Sequence, residues 1–176
     1  MLTESIVFAI VLGFLMGGKL NPLLETQFKK VRFLIIGAMF QAVAYGLVKL
    51  NIHLGENWVI PVIHSISYGF LLAFTSFNRS YSGMRLISLG IVLNALVISL
   101  NGGLMPVDPA FIPEASRQLL KAGTGTHGIL TEGTRLKFLA DIFYVDILVL
   151  GKQLFSLGDL FIDLGIVLFA VKQMRS

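Results

Sequence analysis

Two runs of twenty-two residues without a formal charge, 57–78 and 86–107, constrain this chain more than anything else in it. A helix needs about 17 to 25 apolar residues to cross a ~30 Å hydrocarbon core, so each run is long enough to span one. Two shorter uncharged runs come first: fourteen residues at 5–18, between Glu4 and Lys19, and sixteen at 33–48, between Arg32 and Lys49. Lysine and arginine at their ends can snorkel to the interface, which lets short runs serve. A fifth run, 154–171, is eighteen residues long but contains Asp159 and Asp163. Only 14% of the chain is charged and its mean hydropathy is +0.81. A soluble domain carries roughly 25% charge, so soluble, disordered and nucleic-acid-binding classes are excluded. With 176 residues there is room for one domain, 1–176.

The expected fold is therefore all-α: a polytopic transmembrane bundle of about five spans, near 5–18, 33–48, 57–78, 86–101 and 154–171. One large external loop, 102–153, separates the last two. Within it, 138–150 is apolar but only thirteen residues long, with Asp141 and Asp146. As a helix it reaches about 20 Å, so it reads as a re-entrant or interfacial segment, with a sixth span as the alternative. Basic residues set the orientation. Lys19, Lys29, Lys30, Arg32, Arg79, Arg85, Lys172 and Arg175 fall on one side of a five-span chain, which places the amino terminus outside and the carboxy terminus in the cytoplasm. The first run is a poor signal peptide, having an acidic residue and no basic one ahead of it.

Small residues at Gly13 and Gly17, and at Ala38, Ala42 and Gly46, give faces for close helix approach, within the chain or in a homo-oligomer. Polar residues on shared faces form an expected seam: Gln41 with Tyr45, His64 with Ser67 and Tyr68, Asn94 with Asn101. Asp159 lies three residues after Ser156, the spacing of a capping box; it is also a candidate buried acid, together with Asp163 one turn on. Arg135, Lys137 or Lys152 could pair with Asp163. The chain has no cysteine, which excludes disulfides, thiolate metal sites and a cysteine nucleophile. His64, His53 and His127 lack ligand spacing, so neither metal nor cofactor is expected. Residues 124–128 lack the lysine of a phosphate loop, and Asn78-x-Ser80 is a glycosylation sequon on the wrong side of the membrane.

After the fourth run the chain reads Asn101-Gly102-Gly103-Leu104-Met105-Pro106-Val107. The glycines permit a tight exit and Pro106 fixes the return. The stretch 94–107 resembles the signature of a family of small bacterial integral-membrane proteins of unknown function. Its members also carry a Leu-Gly-Asp-like element and a Phe-Ser-x-Gly-Asp element opening the last helix. Leu139-Ala140-Asp141 and Phe155-Ser156-Leu157-Gly158-Asp159 match these, with Ala140 departing from the glycine. The resemblance implies a bacterial plasma-membrane location and no activity.

Three functions compete at this level. The leading expectation is a non-enzymatic accessory subunit or lipid- or ligand-binding protein, its partners the bilayer and a membrane protein or second copy, not nucleic acid. Its ligand-binding candidates are Asn94, Asn101, Gly102, Gly103, Met105, Pro106, Asp159 and Asp163. The second is an enzyme acting on a lipid or isoprenoid substrate at the outer leaflet, with Asp141, Asp159 and His127 as acid/base groups. The third is a small proton- or ion-coupled transporter using Asp163 with Asn94 and His64.

Overall fold

A computed structural model describes residues 2–50, 58–121, 126–147 and 151–176, and all structural statements below concern these. The chain is mostly helical. Helices α1 (Leu2–Leu15), α3 (Val31–Lys49), α4 (Val59–Phe77), α5 (Met84–Leu100) and α7 (Leu157–Met174) occupy the five long runs. A short α2 (Leu20–Leu24) follows α1, and α6 (Glu114–Lys121) lies in the long connection. Of the described helices, α4 alone is both long and apolar enough to cross a membrane; α1, α3 and α5 count as shorter apolar helices. In α7 the apolar run is interrupted by Asp159, Asp163 and Lys172.

The long helices pack as a row in the order α1, α7, α5, α4, α3. The last helix in sequence inserts beside α5, where the closest glycine contacts among the described residues join α7 to α5 and to Gly83 just before it. A Cβ on Gly90 would collide with the carbonyl oxygen of Gly158, and one on Gly165 would lie 2.8 Å from that of Gly83. This seam differs from the small-residue faces read in the sequence. Gly13 does pack within the chain, against Met174, but Gly17 ends α1 in left-handed backbone (φ 78°) and, like Gly46, faces open space. Gly17 is a terminator: the Gly18 N–H reaches back to the carbonyl of Gly13 at 2.9 Å.

The bundle is apolar outside as well as inside. Phe8, Phe14, Ile35, Met39, Val43, Leu96 and Leu164 face outward, while Ala9, Ala44, Ser67, Thr75, Asn78, Asn94 and Ser156 lie inside beside Phe74, Ile91, Val97 and Met174. One end of the bundle is knit by Lys19 N–H to Met174 O at 2.7 Å, Gln173 Nε2 to Thr26 Oγ1 at 3.0 Å, and a cluster of Phe28, Phe74, Tyr81 and Phe169. Asn78 is fully buried here. Its amide donates to Lys29 O and Phe74 O and accepts from Lys29 N–H, so the sequon is a structural clamp.

The connection after α5 is where the all-α expectation is corrected. It contains β1 (Met105–Val107), β2 (His127–Ile129), and a hairpin of β3 (Phe143–Ile147) and β4 (Gly151–Phe155). The described part of 138–150 is a helical turn at Lys137–Leu139 followed by extended chain, so it holds no long helix. Phe143, Tyr144, Val145 and Ile147 favour strand, and their partners in 151–155 complete the ladder. Val97, Ile98, Met105 and Leu139 form the buried apolar cluster that seats this connection on α5.

Candidate functional site

Strand β1 positions the site. It pairs in parallel with β2 on one side, with Met105 opposite His127, and forms a parallel bridge to Asp141 on the other, opposite Val107. The Asp141 N–H donates to Pro106 O at 2.9 Å and its carbonyl accepts from Asp108 N–H at 3.0 Å. Three stretches far apart in sequence therefore converge, and they bring His127 Nε2 to 3.6 Å from Asp141 Oδ2. Ala140 holds an ordinary extended conformation (φ −71°), so nothing here requires the glycine of the resembling pattern.

Two glycines make the approach to β1. Gly102 and Gly103 both adopt positive φ, 70° and 83°, and a Cβ on Gly103 would lie 2.8 Å from the nitrogen of Pro61 at the start of α4. Asn101 holds the exit closed. Its amide donates to Val97 O at 2.7 Å and Arg135 O at 2.9 Å, and its carbonyl accepts from Arg135 N–H at 2.9 Å. Asn101→Ala removes all three bonds and is expected to cost about 2 kcal/mol. Hydrogen exchange should then accelerate at the amides of 135–141 before it does in α5; unchanged protection there would refute the clamp.

Beneath this connection is a cavity of about 420 Å³. Gln41, Ala42 and Tyr45 of α3 line it, with His64 and Tyr68 of α4, Asn94 and Ile98 of α5, Asp159 of α7, and Met105, Thr126, His127 and Asp141 from above. Asp159 is fixed by the capping box the sequence spacing predicts. The Ser156 hydroxyl accepts from Asp159 N–H at 3.0 Å, and Ser156 N–H donates to Asp159 Oδ2 at 3.1 Å. Asn94 joins that box to α5, donating to Asp159 Oδ1 at 2.8 Å and accepting from the Ser156 hydroxyl at 2.9 Å. Asp159 is thus both helix cap and cavity wall.

Other polar groups are left with open valences. His64 is 4% exposed and Asp141 6% exposed. Both ring nitrogens of His64 and Oδ1 of Asp141 have no hydrogen-bond partner among the described residues. Burial and the neighbouring Asp159 push the Asp141 carboxyl up to about 7. His127 is half exposed at the rim; burial of the rest of its side chain holds it below the usual histidine value, against the pull of Asp159. No group of three potential metal ligands forms among the described residues.

Of the candidates read from sequence, Asn94, Met105, His127, Asp141 and Asp159 meet at this cavity. Asn101 and Pro106 line a separate hollow of about 310 Å³ on the other face of β1. Gly102 and Gly103 shape the turn, and Asp163 faces α1, where its carboxyl hydrogen-bonds Ser5 rather than Arg135, Lys137 or Lys152. Gln41, Tyr45, His64 and Tyr68 join the site from the expected polar seam, whereas Ser67 leaves it to donate to Gly37 O at 2.8 Å. Thr126 belongs to 124–128, which the sequence set aside for want of a phosphate-loop lysine. His53 and 124–125 of the glycine–threonine loop lie outside the described residues.

The chain is similar to an uncharacterized protein of Thermotoga maritima, 27% identical over 176 residues, which cover 99% of this chain and 93% of that one. No solved structure matches it. A family model matches residues 25–171, from the end of α2 through nearly all of α7, and so includes every residue that lines the cavity. The chain belongs to that family, DUF5317, a family of unknown function.

Proposed function

We propose that this is a non-enzymatic integral-membrane protein of the bacterial plasma membrane that binds a small ligand at its outer leaflet, in the cavity beneath β1 and β2. The carrying observation is the set of buried, unpartnered atoms: His64 Nδ1 and Nε2 and Asp141 Oδ1 on one cavity. A buried polar group without a partner costs about 1–3 kcal/mol, and a ligand that completes these bonds recovers it. A mostly apolar wall with a few converging polar groups is the usual make-up of a small-molecule site.

The membrane setting is supported by the apolar outer surface, since lipid accepts outward-facing Phe, Leu and Val, and by the close glycine contacts between α5 and α7. Five spans fit the helix row. Lys19, Lys29, Arg79 and Lys172 belong to the knitted end and the cavity to the opposite one, which supports the amino-terminus-outside orientation. Single cysteines at Ser80 and Glu132, both exposed, test this in a cysteine-free chain. Impermeant reagent on intact cells should label Glu132→Cys and spare Ser80→Cys; labelling of both from one side overturns the arrangement.

Native mass spectrometry of protein extracted gently at its natural level tests the ligand. The expected species is the chain plus one small-molecule mass, lost in His64→Phe. A bare chain refutes ligand binding, and a stoichiometric protein partner on a bare chain favours the accessory-subunit role instead.

A further inference from the structure

The charges around the cavity narrow the ligand's class. Asp141 and Asp159 both line it, and among the described residues no lysine or arginine does. Asp159 has a donor on each oxygen, Asn94 and the Ser156 N–H, and sits at the positive end of α7. Asp141 has neither a helix end nor a cation, and its Oδ1 is buried without a partner. His127 stands 3.6 Å from its other oxygen, half exposed, and His64, Tyr45 and Tyr68 are the other ionisable groups of the lining. A phosphate or carboxylate entering here would meet two carboxyl groups, with Lys49, which lies against Tyr45, outside the lining. An ammonium would meet a carboxylate, a histidine nitrogen able to accept, and the aromatic rings of Tyr45 and Tyr68. Tyr45 already takes a cation of this kind, with Lys49 Nζ 5.7 Å from its ring centre. Ala42, Ile98 and Met105 supply an apolar wall for an attached chain.

Resting on the ligand-binding reading above, we infer that the cavity takes the ammonium head of a cationic amphiphile, with Asp141 as its counter-ion and His64 as a second acceptor. The head group enters with its N–H donors toward Asp141 Oδ1 and His64, and the alkyl part lies along Ile98 and Met105. No bond is made or broken.

Three probes of equal chain length separate the possibilities: octylammonium, 1-octanol and octanoate, each added at pH 8 to the full chain in nanodiscs of zwitterionic lipid. Octylammonium is expected to raise Tm by about 5 °C at saturation, and the other two by no measurable amount. The shift should vanish in Asp141→Asn and persist in Asp146→Asn, an exposed carboxylate of β3 outside the cavity. Equal shifts from octanol or octanoate overturn the cation assignment while leaving a ligand site in place. A shift that survives Asp141→Asn places the amine elsewhere and also overturns it. No shift from any probe overturns the cation assignment, and the native mass measurement then decides the ligand-binding reading separately.

Discussion

Gly158→Ala is expected to open the seam between α5 and α7 and to destabilise the protein by about 3 kcal/mol or more. The new Cβ would collide with the Asn94 carboxamide oxygen and lie 2.8 Å from the Gly90 carbonyl. Backbone cannot give way there without separating the helices. Asn94 can move only by surrendering its bonds to Asp159 and to the Ser156 hydroxyl, which leaves a buried amide unpaired. Gly69→Ala is the matched control. It lies within α4 with open space at the Cβ position, so the same change should be neutral or stabilise by up to about 1 kcal/mol. Unfolding titrations in mixed micelles read both variants. Equal stability of the two would mean that α7 does not sit against α5 at this distance.

That seam shows where the sequence was legible and where it was not. Four charge-free runs and one apolar run broken by Asp159 and Asp163 located the five long helices to within a few residues, because a long apolar run has few alternatives to a helix. Ser156 and Asp159 were legible as a cap because capping is local. Helix partners were not. Gly13 and Gly17 carry the familiar spacing, yet the closest approaches use Gly83, Gly90, Gly158 and Gly165, and spacing within one helix says nothing about which neighbour will face it. The loop was hardest. Met105–Val107 and His127–Ile129 are three-residue strands, too short for alternation to register, and their pairing is non-local. The sequence groups His127, Asp141 and Asp159 only as acid/base residues of the enzyme alternative, and the pairing is what sets His127 beside Asp141. The polar seam lay between these extremes. Helical periodicity grouped Gln41 with Tyr45 and His64 with Tyr68, while the row order of the helices decided that both pairs face Asn94.

Asp141 gives the second large effect, and its sign can be worked out. An unfolded chain holds this carboxyl near 3.8, and the folded protein raises it to about 7 by burial and by the charge of Asp159. Between those values the folded state binds the extra proton, so the contribution of Asp141 to stability falls as pH rises and is fully lost above about 7. At 1.36 kcal/mol per unit the loss reaches about 4 kcal/mol at most. His127 works the other way, because its pKa is lowered, so its contribution falls as pH drops through the histidine range. Asp141→Asn keeps the shape of the neutral acid and removes its ionisation. Without ligand, the variant should match the parent near pH 4 and become more stable than it, by an amount that grows up to pH 8. Parallel unfolding curves at pH 4, 6 and 8 measure that divergence. A variant weaker by the same amount at every pH would mean that the carboxyl is held by ordinary hydrogen bonds and carries no stored charge penalty. The expected divergence also explains why one substitution can strengthen the empty protein while abolishing its response to a cation. A buried carboxylate that is costly alone is one that a cation can relieve, and replacing it removes the cost and the attraction together.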